Sequence, residues 1–265
     1  MLRRSLVFWG ALLPLLALNL FPFAVVLDTI RRGGGGGGKD LGAFWAGMWQ
    51  RTELGAALLN SLVIASSTAI ASTLVALPAA YALSRFRFRG RQAISEALLG
   101  SQMLAPIMLV LGLSQMVSAA GLTDTRVALI VLYSAFQVPF AVWMLRGYID
   151  AIPVELEEAA RLDGASHLRI LRSIILPLSL PAIAVTAAFA FITAFNEFVL
   201  ALTLLRSPPN FTLALRVNAL TAGRYAVDWP DVMAAVLVAS LPVLIMFVGL
   251  QRYMLRGLRL SLEAT

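Results

Sequence analysis

Apolar and polar positions along this chain are segregated into blocks. Six uncharged runs stand out: Ser5–Leu27 (23 residues), Asn60–Ser84 (25), Ala97–Thr123 (27), Val127–Leu145 (19), Ser173–Asn196 (24) and Val232–Leu250 (19). About 20 apolar residues in helical form cross the hydrocarbon core of a bilayer. Lipid offers the backbone no hydrogen-bond partners, so each run can satisfy its peptide groups only as a helix. The pattern predicts an all-α polytopic membrane protein with six transmembrane helices, near 5–27, 60–84, 97–120, 127–145, 179–205 and 232–250. The connecting segments leave no room for a sizeable soluble domain, so one membrane domain is expected over 1–265. No small-x-small site follows Leu27, and the first run reads as a retained anchor.

Finer patterns qualify the blocks. Ser66, Ser67, Ala69, Ala71, Ser72 and Thr73 crowd the second run, and small residues let membrane helices pack closely. Trp9, Trp45, Trp49, Trp143 and Trp229 fall near span edges, where interfacial tryptophan is expected. Leu41, Phe44, Trp45, Met48 and Trp49 share one helical face. That helix either lies in the interface or packs on neighbouring spans. Before it, Gly33–Gly38 is a flexible glycine run with no assigned role.

Composition and charge agree. Hydrophobic residues make up 60% of the chain and charged residues 13%, against about half and a quarter in soluble domains. There is no cysteine, so disulfides and thiolate metal sites are excluded. The lone His167 cannot form a metal site. No cluster of catalytic groups shares one depth, and neither metal nor cofactor is expected. The net charge of +7 reads as basic residues flanking spans and not as a nucleic-acid surface. With both termini cytoplasmic, 13 Lys and Arg fall on the inner side and 8 on the outer, which is the favoured orientation.

The fourth loop, 146–178, differs from the others. Pro153 suits a first helical position. Glu155, Glu157 and Glu158 follow where the helix dipole favours anions, and Glu157 and Arg161 are i,i+4 partners. Gly164 can end this helix and Ser166 can cap the next. Pro177 and Pro181 then bend the chain into the fifth span. A charged helix pair between two spans is either a docking element, with small Ala159 and Ala160 admitting a partner beside the Glu158 and Asp163 carboxylates, or a solvated amphipathic hairpin.

Glu158-Ala159-Ala160, then Gly164, then Ile174, Leu176 and Pro177 resembles the EAA loop of binding-protein-dependent ABC permeases in type and spacing. Asn60-Ser61-Leu62, Leu162-Asp163-Gly164-Ala165, Phe195-Asn196-Glu197-Phe198 and Pro242 to Gln251-Arg252-Tyr253 are similar to the carbohydrate, maltose-type branch. The short, glycine-bearing first outer loop departs from it. The resemblance implies an ABC importer type I permease fold in a bacterial inner membrane. It also implies a permease subunit of a sugar importer, with no enzymatic activity of its own. The implied partners are a second permease, an ABC ATPase dimer and an extracytoplasmic sugar-binding protein. The loop would be a coupling helix, with Glu158, Ala159, Ala160, Asp163 and Gly164 as its ATPase-facing residues. The sequence holds no Gly-x-x-x-x-Gly-Lys-Ser/Thr phosphate loop, so ATP falls to a partner chain. Asn196 and Glu197 are candidates for the translocation pathway, since ionisable residues inside a membrane mark function. The alternative for Glu197 is a structural hydrogen bond to a neighbouring helix. The rival function is a secondary transporter of a small polar solute. That class predicts internal repeats and several intramembrane carboxylates, and this chain offers Glu197 alone.

Overall fold

The structure, a computed structural model, describes residues 2–35, 41–222 and 227–262. The described residues are helical, without strands: α1 (Leu2–Gly35), α2 (Leu41–Thr52), α3 (Leu54–Arg85), α4 (Arg91–Ser101), α5 (Pro106–Ala119), α6 (Arg126–Asp150), α7 (Glu155–Leu162), α8 (His167–Ile170), α9 (Leu176–Leu178), α10 (Leu180–Asn196), α11 (Val199–Leu204), α12 (Leu213–Thr221) and α13 (Trp229–Leu262). Among them α3, α6 and α13 are each long and apolar enough to cross a membrane. Two bent pairs raise the number to five, and α1 contains the first uncharged run. Gly33–Gly35 continue α1, while the rest of the glycine run lies outside the described residues, as do the side chains of Trp9 and Leu41.

The chain divides into two compact units, 1–56 with 216–242, and 57–215 with 243–265. In the first, α2 buries Met48 completely while Trp49 stays exposed, so its apolar face packs on protein. Arg51 makes a bidentate pair with Asp231 at 2.8 and 3.1 Å, which raises the Arg51 pKa. Arg216 donates to the Thr52 carbonyl (2.7 Å) and to Glu53 (2.7 Å), covering a carbonyl that the end of α2 leaves without a helical partner.

The second unit is organised by α3. Its inner face is small: Ala65, Ala69, Ser72, Ala76 and Ala80 are buried, whereas Leu59, Val63, Ile70 and Leu74 are exposed. This is the close-approach surface expected of the second run. Pro78 removes one backbone bond without ending the helix, as membrane helices tolerate. Ala76, Ala80 and Tyr81 join Ala141, Leu145 and Ile149 of α6 in one core. Ile152, Ile170 and Ile175 of the 146–178 loop enter the same core, so the loop is packed onto the helix ends.

Two uncharged runs do not form single straight helices. The run expected to span 97–120 breaks between α4 and α5 with a 96° bend. Ala105 is extended (ψ 131), as a residue preceding proline prefers, and Pro106 opens α5. Gln102 donates to the Phe136 carbonyl at 2.9 Å, tying the break to α6. The segment 167–178 meets α10 at 77°, near Pro177 and Pro181, after a π-helical turn at Leu171–Ile175.

Candidate functional site

The 146–178 loop forms two helical arms. The Val154 carbonyl accepts the amides of Glu157 (2.9 Å) and Glu158 (3.0 Å), opening α7. At the other end Gly164 adopts φ +80. The Ala165 amide bonds to the Ala160 carbonyl (2.9 Å) and the Gly164 amide to the Arg161 carbonyl (3.0 Å). These two bonds define a Schellman cap, which favours glycine because a Cβ disfavours that backbone region. Ser166 then accepts the Arg169 amide and caps α8.

The cap and the amphipathic register give α7 two different faces. Glu157 is fully buried. It forms an ion pair with Arg85 at 2.6 Å, accepts the Tyr81 hydroxyl at 3.0 Å, and lies 3.5 Å from Arg161. Arg85 also donates to the carbonyls of Ile149 (3.0 Å) and Ile152 (2.8 Å) at the end of α6. Beside it, Ser84 donates to Asp150 at 2.5 Å. Glu158, Ala159, Asp163 and Gly164 are exposed, and Ala160 is half-buried. Leu162 shares that open surface with 91% of its area exposed. Of the residues singled out in the sequence, Glu158, Ala159, Asp163 and Gly164 therefore lie on the uncovered side, and Ala160 packs against the core. The anchors of α7, Tyr81 and Arg85, went unnoticed, because Arg85 counted only as a charge closing an uncharged run.

Asn196 and Glu197 lie elsewhere, at the break between α10 and α11. Glu197 leaves the helix with ψ 129. Its carboxylate accepts the amides of Leu200 (2.9 Å) and Ala201 (3.3 Å) and the Tyr133 hydroxyl (2.5 Å). It thus caps α11 and ties it to α6. Asn196 is exposed.

At the opposite end of α6 from the loop, Asp124 (φ 60) accepts the amides of Arg206 (2.9 Å) and Ser207 (3.1 Å). Its own carbonyl accepts Asn210 (2.7 Å). The Ser207 hydroxyl, followed by these amides, holds the Asp124 carboxyl down at about 2. A depressed carboxylate stabilises the fold above its unfolded value of about 3.9 and loses that contribution as the pH falls towards 2. Asp124→Asn is expected to lower stability at pH 7 by on the order of 1 kcal/mol, the low end for a charged hydrogen bond because the group is half-exposed. The melting difference from the parent should shrink between pH 4 and pH 2, and a constant difference would contradict this account.

Long apolar helices, one set packed through alanine, and a capped helical loop with an uncovered face together define an all-helical protein of the membrane-spanning class. The family model for the binding-protein-dependent transport system inner membrane component matches residues 4–260. The chain belongs to that family. It is 40% identical over 202 residues to a putative ABC transporter permease protein of Streptomyces antibioticus, covering 76% of this chain and 88% of that one. It is 37% identical to the trehalose/maltose transport system permease protein MalG of Thermococcus litoralis, covering 76% and 72%. Its fold matches a chain of a bacterial ABC transporter that imports the acidic polysaccharide alginate, with a TM-score of 0.77, 21% identity and coverage of 94% and 98%.

Proposed function

We propose that this chain is the permease subunit of an ATP-driven sugar importer, and that its 146–178 loop seats in a cytoplasmic ATPase. It works as one half of a pair with a second permease, above two ATPase chains and below an extracytoplasmic sugar-binding protein. Both termini are cytoplasmic. The observation that carries the reading is the division of α7: Glu157 is locked inward, while Glu158, Ala159, Asp163 and Leu162 are uncovered. Several exposed leucines on this charged helix pair, Leu156, Leu162 and Leu168, suit a protein interface better than a solvated hairpin. ATP binding closes the two ATPases and carries the seated loops with them, so the spans re-orient as rigid bodies by differential binding. Asn196 and Glu197 line the pathway at the α10–α11 break. Asn196 offers an exposed amide to sugar hydroxyls, and Glu197 holds the break in shape.

The test is ATPase retained on the purified permease. Glu158→Ala removes a charge-assisted contact worth about 1.5–3 kcal/mol at a buried interface. Attachment should fall about tenfold or more, since 1.4 kcal/mol is tenfold in a binding constant. In sealed cells and inverted membrane vesicles, a cysteine at Ser166 should label only from the cytoplasm and one at Arg206 only from outside. Full attachment of Glu158→Ala, or the reverse labelling, would overturn the proposal.

A further inference from the structure

The loop is joined covalently to α6 and to the α9–α10 segment, yet its strongest polar contacts are with the end of α3, 72 residues away in sequence. Arg85 binds Glu157 of α7 and two carbonyls at the end of α6 with one guanidinium. The ion pair is secluded: the Arg85 side chain is 8% exposed and that of Glu157 0%. Phe86, just past the helix end, meets the ring of His167 edge-on with centroids 5.1 Å apart. Both arms of the loop are therefore held by one helix tip.

Toward its other end, at Asn60 and Ser61, α3 is held in the same manner. Asn60 donates to the carbonyls of Pro209 (2.8 Å) and Phe211 (2.9 Å), and Ser61 accepts the Leu213 amide (2.7 Å). Between the two ends the inner face is mostly alanine, serine and threonine, with Ile64 as a larger buried side chain, and the buried Thr68 hydroxyl has no partner. Short side chains interlock less than long ones, so such a surface holds the helix close while constraining its register less. Directional bonds fix register, and a planar guanidinium fork does so rigidly. Helix α3 has such bonds near both of its ends and mainly short side chains between them.

We propose that α3 is a connecting rod that carries the movement of the 146–178 loop to the 206–213 segment at the far end of the unit, with Arg85 and Asn60 as its positioning residues. The 25 helical steps from Asn60 to Arg85 span about 38 Å, more than the hydrocarbon thickness. A displacement imposed on α7 is delivered to the far segment along the helix axis. Coupling between sites is reciprocal, so a change at 206–213 also reaches α7. This inference rests on the loop being the ATPase seat.

Hydrogen exchange of the 206–213 amides tests it, in the full importer with second permease, ATPases and binding protein in nanodiscs, with and without ATP–vanadate trapping. In the parent, trapping should change exchange at the Arg206, Ser207 and Leu213 amides by about fivefold or more. In the paired substitution Arg85→Met with Glu157→Leu, which leaves no buried charge unpaired, and in Asn60→Ser, that difference should vanish while ATPase attachment stays within about twofold of the parent. A merely structural defect raises exchange equally in both states, whereas loss of the rod removes the difference between them. A parent with no response to trapping, or either variant responding as the parent does, overturns the rod and leaves the importer reading intact. A parent importer that holds no ATPase overturns both.

Discussion

Glu157→Ala is expected to destabilise the purified permease by about 3–5 kcal/mol, the cost of leaving one partner of a buried ion pair without its counter-charge. Arg85 would keep its two carbonyl bonds but face an empty site where the carboxylate stood. Tyr81 would lose the acceptor of its hydroxyl. Thermal denaturation of the variant in detergent measures the loss. The paired substitution Arg85→Met with Glu157→Leu should recover most of it, because an apolar pair of similar volume often matches a buried ion pair in stability. If Glu157→Ala melts with the parent, the pair is not secluded as described. If the apolar pair melts no higher than Glu157→Ala, the loss lies in packing and not in the unpaired charge.

Gly164→Val should weaken ATPase attachment about tenfold or more, and Gly164→Ala considerably less. Gly164 sits at φ +80, and a Cβ there meets nothing within 4 Å. The cost within this chain is therefore conformational. An L-residue in the left-handed region costs about 1–2 kcal/mol, and a β-branched one is a worse fit. The Schellman cap would open, and Ala165 would give up its bond to Ala160. The open space also means that any steric contribution comes from the docked partner. Attachment measured by co-purification, alongside the melting temperature of the isolated chain, separates the two sources. Equal attachment of the valine variant and the parent would exclude Gly164 from the seat.

Much of this was legible in sequence because the signals are local. Gly164 and Ser166 act through bonds to residues within five positions, so a cap can be read from spacing. The Glu157–Arg161 pair is equally local, and the bend near Pro177 and Pro181 follows from missing donors. The Arg85–Glu157 pair was not legible, since no periodicity links residues 72 positions apart. The break between α4 and α5 was hidden for a different reason. Hydropathy sums along Ala97–Thr123 without registering that Pro106 forces Ala105 out of helix. Two readings were left open for α2 and for Glu197, because an apolar face or a lone carboxylate has the same sequence whether it packs or functions. Met48 is buried and the Glu197 carboxylate caps α11, facts that depend on neighbours contributed from distant segments.

The two sides of α3 differ in side-chain volume, the buried one mostly alanine, serine and threonine and the exposed one carrying leucine, valine and isoleucine. On the exposed side, Leu59, Ile70 and Leu74 project away from the rest of this chain. Toward protein, Ala76 and Ala80 leave room for a methyl group and nothing more. Along this helix the usual scale of conservative replacement inverts. A greasier residue is the safer change on one side and the more damaging on the other, and bulk, not water affinity, sets what each position can accept.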